Sequence, residues 1–292
     1  MKTRKFVLSL IRATPLLQKL EVPVRNRIRI NSRRKFAYSY FNRKIKQIAV
    51  WSKLKNESTN FYYDLTSNNL GDLISLVSLI CDIDAELVEK HINEINENTK
   101  LKSHIADSWQ NDPLMVDGLV GFGRRVGWYA LIRLLKPRIV IETGIHQGVG
   151  ACVIASALKL NSEEGFPGKY YGTDIDLSAG QLFTAEYAQF GEVLFGDSIE
   201  SLKLLNEEID IFINDSDHSS DYEFKEYLTI STKLSRGSLI LGDNSHSTDS
   251  LRRFSQDSKR KFVFFKEEPE NHWYPGAGIG ISINTLPLTR FQ

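Results

Sequence analysis

Five acids stand at the ends of five apolar runs: Glu142, Asp174, Asp197, Asp215 and Asp243. One acid in such a place can cap a helix. Five in a row put like charges along one edge, which is costly unless cations or hydrogen-bond donors meet them. The ligand expected there offers hydroxyls, amines or a metal ion. The first acid also opens a glycine turn. Ile139-Val140-Ile141 leads into Glu142, Gly144 and Gly148, and then into a small-residue stretch with Ala151, Ala155 and Ala157. Strand, glycine turn and helix together hold a nucleotide-like cofactor, because the glycines admit it close to the backbone and the helix N-terminus turns free amides toward it. No glycine stands two residues before Gly144 or two after it, which argues against a nicotinamide-binding GxGxxG turn.

The elements that must position these acids alternate regularly. A helix over Phe122–Leu135 feeds the first strand and stops at Lys136-Pro137. Strands are expected at Lys169–Thr173, Glu192–Phe195, Asp210–Asn214, Ser238–Gly242, Lys261–Lys266 and Ala277–Asn284. Helices are expected at Leu177–Phe190, Ile199–Leu205, Ser220–Leu234 and His246–Ser258. Alternation of this kind predicts an α/β fold: a Rossmann-like, mostly parallel seven-stranded sheet with the last strand antiparallel, preceded by a helical extension. Ligands of such sheets bind at the carboxyl edge. The segment Glu267–Gly276 carries His272, Trp273 and Tyr274 to that edge, either to line a pocket or simply to pack.

The chain of 292 residues has a formal charge of +1 that hides an asymmetry. Met1–Lys55 carries 16 Lys/Arg and one acid, Glu21, for a net of +15, which leaves −14 on the remainder. The expected organisation is a basic arm over residues 1–60, a helical cap over 61–112 and a main domain over 113–292, opening at the Asn111-Asp112-Pro113 break. In the arm, Arg33–Lys55 has helical character, while Pro15 and Pro23 should interrupt any long helix. Phe6, Val7, Leu8, Leu10, Ile11, Leu16, Leu17 and Leu20 are interleaved with bases. That allows a solvated extension, a peripheral membrane contact or an organellar leader. No module supports nucleic-acid binding. In the cap, apolar residues recur at helical spacing through Asn69–Asn98, with Asp84 positioned to cap a second helix. His91 there reads as a helix-face histidine rather than a ligand. Two cysteines, Cys81 and Cys152, give neither a disulfide framework nor a zinc pattern, and suit a reducing, cytoplasmic setting. The longest apolar runs are too short to span a bilayer.

From Phe122 to Asn284 the chain resembles class I S-adenosylmethionine-dependent methyltransferases. Glu142-Thr143-Gly144 followed by Gly148 is similar to that family's first motif. Asp174 stands where the family's second-strand acid holds both ribose hydroxyls, with Asp176 as a near competitor, and Gly196-Asp197-Ser198 is similar to the motif that meets the adenine amino group. Asp210–Asp217 and Asp243-Asn244 resemble the metal-dependent O-methyltransferases of the catechol and caffeoyl-coenzyme A types. The spacing Asp215-x-x-His218 resembles the macrocin-type sugar O-methyltransferases.

The resemblance implies S-adenosylmethionine bound by Glu142, Gly144, Gly148, Asp174, Asp197 and Asp215, and a Mg²⁺-type ion on Asp215, Asp243 and Asn244. It implies His218 as the base, with Asp217 beside it. Two carboxylates and an amide oxygen are hard ligands suited to Mg²⁺. An alcohol coordinated to such an ion loses its proton more easily, and an imidazole, which titrates near neutrality, can take it. The activity implied is methyl transfer to a hydroxyl of a small molecule or sugar. Two alternatives stay open: a metal-independent N- or O-methyltransferase, and a non-catalytic cofactor-binding scaffold recruited by its basic arm. The acceptor-binding loops, the cap and the arm match nothing in these families, and His146 is unusual inside the glycine turn.

Overall fold

Strands β1 (Ile139–Thr143) and β4 (Ile209–Asn214) are mainly apolar and buried along almost their whole length, as strands covered on both faces must be. They lie side by side in the computed structural model, which describes residues 21–54, 59–109 and 119–284, with Ser9, Ile11, Ala13 and Lys19. Parallel to them run β2 (Lys169–Asp174), β3 (Gly191–Phe195) and β5 (Leu234–Asp243). The sheet is completed by β6 (Lys261–Lys266) and β7 (Gly278–Ile283), in the order β3-β2-β1-β4-β5-β7-β6. The last strand, β7, is antiparallel to both its neighbours and sits between β5 and β6. The seven-stranded sheet with an antiparallel last strand is thus the one the alternation predicts.

Each face of the sheet has its own core. One holds Val140, Ile211, Leu239 and Ile281 against helices α5 (Arg125–Leu135) and α6 (Val149–Glu163). The same core takes in α2 (Ser67–Cys81) and α3 (Ala85–Asn96) through Leu73, Val77, Val88, Ile92 and Ile95. A further helix, α4 (Thr99–Asp107), lay beyond the sequence pattern because it buries only Leu101 and Ile105. The other face packs Ile141, Phe212 and Ile240 against α7 (Ser198–Leu204), α8 (Ser220–Ile230) and α9 (Ser250–Asp257). His91 is buried on α3 beside Glu94, 3.2 Å from its carboxylate.

Several boundaries depart from expectation. The span Leu177–Phe190 is not a helix: only Tyr187–Phe190 forms a 3₁₀ turn. Gly180 and Ala185 adopt left-handed φ of 76° and 51°, and the amides of Gly180 and Leu182 are spent on the carbonyls of His146 and Gln147. This loop therefore braces the glycine turn instead of coiling on itself. Leu234 opens β5 rather than closing α8. Helix α9 starts only at Ser250, after Asn244 turns the chain with a φ of 52°. The Asn111-Asp112-Pro113 break lies outside the described residues, as do the apolar residues of the arm's first twenty positions except Ile11 and Ala13.

The chain divides into two units, Met1–Leu54 with Asn271–Trp273, and Lys55–Glu270 with Tyr274–Gln292. The first contains α1 (Glu21–Trp51), a single helix of 31 residues that begins well before Arg33. Pro23 does not break it. The proline is the third residue, within the first turn, where the amides have no partner inside the helix and a missing N–H costs nothing. No residue of α1 is buried, and Phe36, Tyr40, Phe41 and Ile45 are exposed on it.

Candidate active site

The carboxyl ends of β1, β2 and β4 are laced together by backbone. The Gly144 amide donates to the Thr173 carbonyl (2.8 Å) and the Asp215 amide to the Thr143 carbonyl (2.9 Å). Gly144 has a φ of 78°, and a Cβ there would fall 2.2 Å from the Asp215 carbonyl oxygen, so only glycine fits the turn. Gly148, with a φ of 95°, starts α6. Around this turn lie two hollows that share Gly144, His146, Gln147 and Asp215 as walls.

The larger, a cleft of about 580 Å³, is lined by Asp174, Asp176, Asp197, Ser198, Asp217 and Tyr222, among others. Asp174 accepts from the His146 amide on one oxygen and from the Asp176 amide on the other, both at 2.9 Å, which fixes its carboxylate while leaving lone pairs toward the cleft. Asp197 caps α7 through the Glu200 amide (3.0 Å) and accepts from the Tyr222 hydroxyl (3.1 Å). Asp217 accepts from the Ser219 amide (2.8 Å) and hydroxyl (3.1 Å) at the start of α8. It lines this cleft, not the second hollow. The acid row is therefore partly a row of caps, each also turned to one cleft.

The second hollow, of about 300 Å³, is lined by Glu142, Asp215, His218, Asp243 and Asn244. One ligand atom each from Asp215, His218 and Asp243 lies within 4.8 Å of the others. His218 Nε2 stands 3.9 Å from Asp215 Oδ1 and accepts from Asn244 Nδ2 at 3.0 Å, and Asn244 Nδ2 also donates to Asp243 Oδ2 at 2.9 Å. Burial, reinforced by the neighbouring Asp243, raises the Asp215 carboxyl well above the usual carboxylate range. Burial also opposes the charge of Asp243, but the Arg124 guanidinium outweighs it and holds this carboxyl below that range. A buried and a half-buried carboxylate beside an imidazole fit a small divalent cation, whose charge would let Asp215 ionise.

Sequence reasoning missed the cations of this hollow. Arg124 grips Asp243 through both Nε and Nη2, the latter at 2.6 Å, and reaches the Tyr63 hydroxyl at 3.0 Å and Glu267 at 3.5 Å. Arg125 lines the same wall. Their only signal was a pair of bases opening a mainly apolar helix, Arg124-Arg125 before Val126-Gly127-Trp128-Tyr129. His146 stacks on Phe61, with centroids 5.0 Å apart and rings 16° from parallel. Tyr274 reaches the hollow, whereas Trp273 is exposed.

Glu142 lies at the hollow's floor, 2 % exposed, and accepts from the Tyr170 hydroxyl at 2.6 Å. Burial pushes its carboxyl from 4.5 up to about 7. A raised folded value means that the native state keeps a proton the unfolded chain releases, so stability falls as pH rises between about 4.5 and about 7. Glu142→Gln should remove that contribution. In ligand-free protein, its melting temperature should fall less than wild type's between pH 5 and pH 7.5. Parallel melting profiles for the two proteins would refute it.

Residues 141–245 match the family model described as a methyltransferase domain. No relative is found among curated protein sequences. Solved structures similar to the chain include the O-methyltransferase TomG of Streptomyces achromogenes, involved in tomaymycin synthesis and solved with S-adenosylmethionine. It is 15% identical over 63% of this chain and 89% of that one, with a TM-score of 0.48. An O-methyltransferase of Bacillus cereus solved with S-adenosylhomocysteine is 15% identical over 73% of this chain and 97% of that one, with a TM-score of 0.43. A methyltransferase of Geobacter sulfurreducens is 14% identical over 63% and 90%, with a TM-score of 0.46. The matched stretch runs from within β1 through the glycine turn to the residues just past β5.

Proposed function

We propose that the chain is an O-methyltransferase that moves the S-adenosylmethionine methyl group to a hydroxyl of a small-molecule acceptor, such as a sugar. The observation that carries this reading is the meeting of Asp215, His218 and Asp243 in a hollow that shares its walls with the cleft of Asp174 and Asp197. In this reading the cleft holds the nucleoside. Asp174 accepts from the ribose hydroxyls, Asp197 and Ser198 meet the adenine, and the Gly144 turn admits the chain between them and the second hollow. The cofactor supplies a methyl group already activated on a sulfonium, so the protein's work is to position and deprotonate the acceptor. Asp215, Asp243 and Asn244 would hold a divalent cation, which lowers the pKa of an acceptor hydroxyl. His218 takes the proton at Nε2, the nitrogen that faces Asp215 and Asn244. Asp217 orders the start of α8 just behind it.

Asp174→Ala should weaken S-adenosylhomocysteine binding, measured by calorimetry, by about 2–4 kcal/mol, the scale for losing charge-assisted hydrogen bonds in a closed site. Wild-type affinity in that variant would remove Asp174 from the cofactor site. For the metal, Asp215→Asn is the informative change, because removing Asp243 would also strand the buried Arg124. Asp215→Asn should abolish calorimetric Mg²⁺ binding, while the metal-free protein melts no lower than wild type at pH 8, since a disfavoured buried charge is gone. His218→Ala should keep Mg²⁺ binding and turn over about 10²–10⁴-fold more slowly. Full turnover in the presence of chelator would favour the metal-independent alternative.

A second reading concerns α1. Nine Lys/Arg and one acid over 31 residues, with no residue buried, suit an arm that lies on an anionic membrane surface. Among the described residues no helix is long and apolar enough to cross a membrane. Full-length protein should sediment with phosphatidylserine vesicles at low salt and be released at high salt, as screening shortens the electrostatic reach. Equal recovery in the supernatant at both salts would exclude this role.

A further inference from the structure

Helix α8 buries two acids, Glu223 and Glu226. Glu223 is answered by the hydroxyls of Tyr227 (2.8 Å) and Thr248, neither of which lines the cleft. Glu226 is answered differently. One of its carboxylate oxygens takes the hydroxyl of Ser198, the first residue of α7. The other takes Asn214 Nδ2 at the end of β4 and the Thr143 hydroxyl (3.4 Å) at the end of β1. The Ser216 hydroxyl reaches both oxygens at 2.9 Å. Among the described residues no base lies within ion-pair distance of Glu226. A buried carboxyl without a cation is an expensive way to join a helix to a sheet, and an apolar side chain would serve packing alone.

Two of its partners, Ser198 and Ser216, are walls of the cleft. Ser198 Oγ also lies 2.9 Å from Tyr222 Oη, and Tyr222 donates to Asp197 at 3.1 Å. Glu226, Ser198, Tyr222 and Asp197 thus form an unbroken chain of hydrogen bonds from a buried acid to an acid on the cleft wall. Burial raises the Glu226 carboxyl to about 7, against the opposing pull of the Ser198, Ser216 and Thr143 hydroxyls. Ionised, it accepts from Ser198; protonated, it can donate to the same oxygen, so Ser198 is held in either state. Asp197 itself is aimed by the Glu200 amide on one oxygen and the Tyr222 hydroxyl on the other.

We propose that Glu226 is a positioning residue for the base-binding corner of the cleft: acting through Ser198 and Tyr222, it fixes the direction in which Asp197 meets the amino group of the cofactor's adenine. The inference rests on the S-adenosylmethionine reading of the cleft and adds a residue to which that reading gives no part. Thr143 and Asn214 tie Glu226 to the two central strands. The corner is therefore registered against the sheet and not only against its own short helix. A carboxylate held at a set angle takes an amino group in a charge-assisted hydrogen bond and rejects an oxygen in the same place.

Calorimetry on the full chain tests this with two ligands: S-adenosylhomocysteine and its deaminated analogue, whose base carries a 6-oxo group where adenine carries the amino group. Wild type should bind the amino form about 10–100-fold more tightly, the range for a charged hydrogen bond. Glu226→Leu should bring the two within about threefold of each other, by weakening the amino form and sparing the analogue. Glu226→Gln, which keeps the side chain's length and one of its acceptor oxygens, should retain most of the preference. Where Glu226→Leu fails to fold, Tyr222→Phe replaces it, because it cuts the same chain at a half-buried position and should lower the preference in the same way. A loss of affinity in Glu226→Leu that is equal for both ligands is what a merely structural role gives, and it overturns the proposal. So does a preference that survives Tyr222→Phe, or the lack of any preference in wild type. In those cases tight binding of S-adenosylhomocysteine by wild type leaves the cofactor reading standing, whereas failure of wild type to bind either ligand overturns both.

Discussion

Two carboxylates forced together out of water must be paid for by a cation, and this site solves that problem with Arg124. Its guanidinium lies along Asp243, and the same side chain reaches Tyr63 and Glu267. Glu267 in turn accepts from the Tyr63 hydroxyl (2.8 Å) and the Ala277 amide (2.7 Å). One buried ion pair thus gathers the segment ahead of α2, the start of α5, the end of β5 and the loop between β6 and β7. Removing either charge would leave the other stranded, which is far costlier than the pair's own net worth.

The edge of the sheet is divided between two electrostatic environments. Asp174, Asp197 and Asp217 are exposed or half-exposed and accept hydrogen bonds from backbone amides. Glu142 and Asp243 are buried a few residues away and Asp215 is half-buried, and loss of solvent drives Glu142 and Asp215 toward the protonated form. Acids on one edge can therefore do different work. Those in the cleft serve as fixed acceptors for neutral donors. In the hollow, Glu142 and Asp215 are poised to exchange a proton for a positive charge, while Asp243 already has one in Arg124.

The strands, their order of use and the acids at their ends were legible because each is a local pattern: an apolar run, a turn, a charged residue. The convergence of Asp215, His218, Asp243 and Asn244 was equally legible, since neighbouring parallel strands bring their ends together whatever loops follow. What escaped was set by partners distant in sequence. The loop of Leu177–Phe190 has helical composition, and nothing local shows that its amides answer to the carbonyls of His146 and Gln147. Arg124 and Arg125 look like the polar start of a helix until Tyr63, Asp243 and Glu267 arrive from three other segments. Pro23 misled for a simpler reason: a proline reads as a break unless the helix happens to begin beside it.

The position of β7 sets an order of events as well as a shape. Strand β6 is made first but has no place in the sheet until β7 has slotted in beside β5, because β7 lies between them. During synthesis the open edge of β5, which ends in Asp243, must wait for the last strand to emerge. A waiting edge is a template for pairing with the wrong chain. The half of the sheet that carries the cleft does not depend on β7, while the half that completes the hollow closes only once β7 is in place. On this view the hollow is the last part of the sheet's edge to be completed.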